Sequence, residues 1–156
     1  MGAIGTAILI TSYYKLRYHS PLPRQRADFE HLDRSILFEY INTSHCRYRK
    51  TIKLRASRPM SVYVDKYKWT GQTTPRVTNS IKGQTFTPTE RKSVWQFYEV
   101  HFGRTLNKGE TVDTDLTFDF EDPQHSFVPF ISTNIEEPTR QLKLALRVPL
   151  ALGVRM

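Results

Sequence analysis

The chain has 156 residues, 38% of them hydrophobic and 12% aromatic, with a formal net charge of +8. That length suits one domain with its own core, and a single cysteine, Cys46, excludes an internal disulfide framework. The charge is uneven: residues 1–104 hold 18 Lys and Arg against 7 Asp and Glu, whereas residues 105–156 hold 5 against 8. Such a basic first part points to an acidic partner (protein, nucleotide, nucleic acid or anionic membrane), unless the two parts neutralise each other on folding.

Residues 2–14 form a mostly apolar run that ends in Tyr13 and Tyr14, and Lys15 and Arg17 follow it. The run is well short of the ~20 apolar residues of a membrane helix, and charge follows it instead of preceding it as in a signal peptide. It reads as an edge strand or N-terminal arm; the alternatives are a membrane-anchor remnant that brings residues 1–14 to a bilayer, and a disordered leader. The polar connector from His19 to Arg34 contains Ser-Pro-Leu-Pro, which favours extended chain. Asp28 to Arg34 has the composition of one helical turn, and His31 and Asp33 read as solvated charges. Residues 1–34 are thus expected as arm and connector, and residues 35–156 as a single domain.

Ser35 to Ile41 alternates with Ile36, Phe38 and Tyr40 on one face, and turn residues 42–46 lead into a returning strand from Arg47 to Ala56. In that strand Tyr48, Ile52, Leu54 and Ala56 share a parity that Lys50 interrupts, while Arg47, Arg49, Lys53 and Arg55 line the other. Ser61 to Trp69 follows, with Val62 and Val64 expected to face in and Tyr63, Tyr67 and Trp69 to face the other side. Gly71 to Thr89 reads as a long loop holding one short strand near Ser80 to Phe86.

Ser93 to Gly103 is apolar on both parities, as a central strand would be. Leu106-Asn107-Lys108-Gly109-Glu110 then places a glycine where a left-handed turn residue is needed, and predicts a hairpin into the next strand. From Glu110 to Phe120, Val112, Thr114, Leu116, Phe118 and Phe120 alternate with Asp113, Asp115, Thr117 and Asp119, which marks a half-buried strand. Ser126 to Ser132 is a short apolar segment whose Pro129 suits an edge. Gln141 to Leu150 closes the chain with Leu142, Leu144, Leu146, Val148 and Leu150 on one face. Seven or eight strands with almost no helix predict an all-β antiparallel β-sandwich, Ig-like or jelly-roll-like, with a small closed barrel as the alternative.

The basic row of Arg47, Arg49, Lys53 and Arg55, extended by Lys50 and Arg58, is the leading surface feature. With Tyr63, Tyr67 and Trp69 nearby for base stacking, it forms a candidate ligand or nucleic-acid site. The competing reading pairs it internally with the acidic row Asp113, Asp115 and Asp119, provided the two strands are neighbours. Those aspartates diverge along a strand, which does not suit a calcium loop. The histidines fall in no zinc spacing, His101 reads as a core residue, and His45-Cys46 is an adjacency without the geometry of a dyad. No metal and no cofactor is expected.

The sequence therefore reads as a non-enzymatic binding or interaction module with a basic, aromatic-rich surface, located in the cytoplasm, with membrane association as the alternative. A nucleic-acid-binding or shell-forming homo-oligomer with a swapping N-terminal arm is a second reading, and a membrane-proximal signalling domain a third. A small hydrolase or nuclease using His45, His101 or His125 is the weakest.

Overall fold

The alternating stretch after Gly109 folds as a strand with Thr114, Leu116, Phe118 and Phe120 buried and the aspartates on the opposite face. It belongs to a computed structural model that describes residues 7–15, 27–125 and 138–149. The expected strand at 126–132 lies outside the described residues. Among them are nine strands: β1 (Ala7–Lys15), β2 (Phe29–Tyr40), β3 (His45–Ala56), β4 (Met60–Lys68), β5 (Arg76–Asn79), β6 (Thr85–Lys92), β7 (Trp95–Leu106), β8 (Thr111–Glu121) and β9 (Gln141–Pro149).

They form two sheets, in the orders β1-β9-β2-β3-β8-β5 and β4-β7-β6. Every pairing is antiparallel except β2 with β9. The fold is an all-β, largely antiparallel sandwich, because each strand has one apolar parity to bury and the two sheets bury those parities against each other. β1 is an edge strand beside β9, the arm reading of the N-terminal segment.

The β2–β3 hairpin forms as its pattern predicts. Four other expectations are corrected. Asp28–Arg34 is strand, not a helical turn: β2 begins at Phe29, and a register shift between His31 and Asp33 changes which parity faces in. Phe29 and His31 are buried before it, and Arg34, Ile36 and Phe38 after it, so simple alternation does not show across the bulge. β4 faces the opposite way from its valines: Val64 is 55% exposed, whereas Tyr63, Tyr67 and Trp69 are buried. Rings bury more area than valines, and the larger parity took the core. The 71–89 stretch holds two strands, β5 and β6, with a turn at 80–84 between them.

The fourth correction concerns Gly109. It has φ +86, and Glu110 N–H donates to Asn107 O at 3.0 Å, so the turn is real. It does not close a hairpin, because β7 and β8 lie in different sheets. β8 pairs with β3 and β5, and the turn is tied to the end of β3 by Gly109 N–H to Ala56 O at 2.8 Å.

The core is aromatic. The Phe118 ring from β8 lies within 4.8–5.9 Å of the Tyr67, Tyr48, Tyr98 and Phe86 rings, centroid to centroid, so it joins both sheets. Trp69 packs on Phe120 at 4.4 Å. Beside this cluster is a buried charge network. Lys50 on β3 and Asp65 on β4 form an ion pair across the two sheets, and Lys50 is 1% exposed. Tyr63 Oη and Tyr98 Oη also donate to Asp65 Oδ2, at 2.9 and 3.1 Å, and Lys66 N–H donates to Oδ1 at 2.8 Å. Tyr63 Oη lies 3.3 Å from His31 Nε2. His31 is therefore a buried network member, not a solvated charge. Burial by itself would raise the Asp65 carboxyl; Lys50 and Arg34 outweigh it and hold the group well below the usual carboxylate range.

Removing one partner of such a pair leaves a buried charge. Lys50→Met should cost about 3–5 kcal/mol, and Lys50→Met with Asp65→Asn should recover part of that, as read by urea unfolding. Because the folded Asp65 pKa is depressed, its contribution is present above the unfolded carboxylate value of about 3.9 and fades as pH falls below it. Stability measured from pH 7 to pH 3 should fall less steeply in the double variant than in the parent. Gly103 in β7 has φ +70, and a Cβ there would sit 2.6 Å from Gly83 O. Gly103→Ala should therefore destabilise by at least about 1–2 kcal/mol in the same assay.

Candidate functional site

Three surfaces carry chemistry. The first is the outer face of the six-stranded sheet, where Arg47, Arg49, Lys53 and Arg55 lie as their parity requires. β3 sits between β2 and β8, so the basic row has acidic strands on both sides. One register row runs Arg147, Glu39, Arg47, Asp119, Arg76 across β9, β2, β3, β8 and β5, alternating in sign. Arg147 Nη1 meets Glu39 Oε1 at 2.7 Å, and Arg47 Nε meets Asp119 Oδ1 at 2.8 Å. Arg49 grips Asp115 with two bonds, of 2.9 and 2.6 Å, and Ser80 Oγ donates to the same carboxylate at 2.8 Å. Lys53 stands between Asp33 and Asp113 in register, and Arg55 shares Glu30 with Arg140.

The hydrogen bonds and charge of Arg49 pull the Asp115 carboxyl down. Burial would raise Asp119, and Arg47 outweighs it to give a net lowering. The basic and acidic rows thus pair internally, and the face offers a partner little unspent charge. Lys50 does not extend this row, since its side chain turns inward. Tyr63, Tyr67 and Trp69 are not beside the row either; they lie in the core, at 2%, 7% and 3% exposure, with their faces packed on other rings.

The second surface is a cleft of about 200 Å³ lined by Tyr40, Asn42, Thr43, Ser44, His45, Cys46, Asp122 and His125. Successive strand residues leave opposite faces. Cys46 points into the core, and His45 Nε2 approaches Asp119 at 3.5 Å, so the pair makes no dyad. Burial, with Asp122 nearby, pushes the Cys46 thiol up to about 12, and Tyr40 rises to about 12 as well, through burial and Cys46. His125 Nδ1 lies 3.0 Å from Thr43 O, a loop contact. His101 faces outward, its Nε2 2.9 Å from Glu99 Oε2; it is not a core residue. Among the described residues no group of His, Cys, Asp and Glu could hold a metal ion, and no helix is long and apolar enough to cross a membrane.

The third surface is the outer face of the three-stranded sheet. β7 is its central strand and is apolar on both parities: Tyr98, Val100 and Phe102 fill the core, which sends Trp95 and Phe97 to the outside. Lys68 on β4 and Lys92 on β6 are the register partners of Trp95, and Lys66 is that of Phe97. Lys66 Nζ lies 5.1 Å from the Trp95 centroid and 5.6 Å from Phe97, Lys68 Nζ 6.0 Å from Trp95, and Lys92 Nζ 5.5 Å from Phe97. These are cation–π distances. Lys92 also meets Glu90 at 2.7 Å, and Glu99 with His101 bounds the far end of the patch. Sequence reasoning passed over these residues. The signal was there: in a two-layer fold, a strand with rings on both parities must show one set to solvent.

No family model and no curated protein matches the chain. Among solved structures it is similar to a mutant M1 zinc metallopeptidase from Deinococcus radiodurans, at 19% identity over 62% of this chain and 21% of that one, with a TM-score of 0.39. A two-domain M1 zinc metallopeptidase mutant bound to L-arginine gives 19% identity, 72% and 23% coverage, and a TM-score of 0.42. The chain spans under a quarter of the length of these two proteins, and likeness at that level carries no argument about activity.

A thiol held near 12 and buried is almost wholly protonated and shielded at neutral pH. Native Cys46 should react with an aromatic disulfide reagent at least about a hundredfold more slowly at pH 8 than the same chain in denaturant. A rate equal to that of free cysteine would contradict the burial.

Proposed function

We propose that this sandwich is a non-enzymatic binding module that takes an acidic partner on the outer face of its three-stranded sheet. The observation that carries the reading is the cluster of Lys66, Lys68 and Lys92 over Trp95 and Phe97. Aromatic side chains on an outer face are what interface cores are enriched in, and the lysines beside them supply the positive charge that complements an acidic partner. Val64, 55% exposed on the same sheet, extends the apolar area. The six-stranded sheet is the weaker candidate because its arginines already have carboxylate partners within the chain. A buried, protonated Cys46 is compatible with a cytoplasmic setting.

The test compares the two faces on immobilised heparin, a polyanion without aromatic groups. A Lys66→Gln, Lys68→Gln, Lys92→Gln variant should elute at clearly lower salt than the parent, whereas Arg47→Gln with Arg49→Gln should elute close to it. The reverse ranking would move the binding face to the other sheet and end this reading.

A further inference from the structure

We infer that the acidic partner is a single-stranded nucleic acid, with bases stacked on Trp95 and Phe97 and phosphates met by Lys66, Lys68 and Lys92; this rests on the binding face proposed above. Trp95 and Phe97 leave the same side of the central strand two residues apart, so their attachment points are separated by roughly 6.6–6.8 Å. Two rings spaced along the middle of an open sheet are how β-sheet surfaces accept successive unstacked bases. An acidic protein surface would need the ammonium groups and would leave the aligned rings without a purpose. A duplex keeps its base faces stacked inside, out of reach of both rings.

The lysines complete the arrangement. Trp95 has a lysine in register on either side, and Phe97 has Lys66 on β4. In the ligand-free chain these ammonium groups lie over the ring faces. Trp95 and Phe97 are half-buried, and an ammonium that turns from a ring to a flanking phosphate leaves the ring face to a base. Glu99, the next residue on that face, repels phosphate and limits the footprint to about two or three nucleotides.

The chain carries its own reporter. Of its two tryptophans, Trp69 is buried with Nε1 donating to Thr73 O at 2.7 Å, so stacking would be read at Trp95. The whole chain is titrated with oligothymidine, with inorganic polyphosphate of matched charge, with polyglutamate and with a blunt DNA duplex. Oligothymidine should quench tryptophan fluorescence and bind more tightly than the other three, with a log–log salt slope of about −2 for three lysine contacts. Read by the anisotropy of labelled oligothymidine, Trp95→Ala should weaken binding by about tenfold or more, while Trp95→Phe, which keeps a ring, should recover most of the loss. Lys66→Gln with Lys68→Gln should flatten the salt slope and leave the quenching at saturation. Binding of polyphosphate as tight as that of oligothymidine, without quenching, would overturn base stacking and leave the acidic-partner reading standing. Tighter binding of polyglutamate would replace nucleic acid with protein, and tighter binding of the duplex would remove the single-strand claim. Binding to none of the four would end both inferences.

Discussion

Lys50 and Asp65 meet between the two sheets, and the rest of the sandwich is arranged to make that contact tolerable. An ion pair out of water is costly unless its remaining donors and acceptors are used. Here Tyr63, Tyr98 and the Lys66 amide supply bonds to the carboxylate, and the Tyr98 ring lies 5.9 Å from the ammonium. The pair therefore prescribes which residues of β3, β4 and β7 come together. An all-apolar sandwich of similar strands could slide by two residues and still bury its rings; this one would strand a charge. The phenols share the same constraint, since burial and the Asp65 charge drive the Tyr98 hydroxyl well above its ordinary range and keep it a donor.

With one charge pair spent inside, the outer faces divide the remaining charge unequally. The six-stranded sheet sets β3 between acidic neighbours, and its arginines are satisfied within the chain. Such exposed pairs each contribute a few tenths of a kcal/mol to about 1 kcal/mol. Their main effect is on association, because they remove a basic surface that the linear sequence displays. The three-stranded sheet has no strand of that acidic character. Its lysines lie over rings, and Lys92 also pairs with Glu90.

The two-residue period was readable along β2 after the bulge, β3, β8 and β9, and those strands lie where their alternation puts them. It failed where two parities were both apolar or where a bulge switched them. In β4, valines and rings compete for the core, and only the opposing layer, with Phe118 and Phe120 waiting for Tyr67 and Trp69, decides between them. In β2 the bulge before Asp33 hides the inward role of His31 and Arg34. The turn at Gly109 was legible as a turn, but a turn does not say whether its arms stay in one sheet.

Local alternation, turn chemistry and the ratio of rings to charges were enough to make this chain an all-β sandwich with opposed basic and acidic rows, because each depends on neighbours a few residues away. Which rows cancel and which rings face outward depends on strand order, a property of residues more than a hundred positions apart. Arg47 and Asp119 are 72 residues distant and Arg147 and Glu39 are 108, yet each pair is joined by a hydrogen bond. Tertiary pairing alone therefore set carboxylates beside the basic row that dominates the sequence and placed Trp95, Phe97 and their lysines on the outer face of the other sheet.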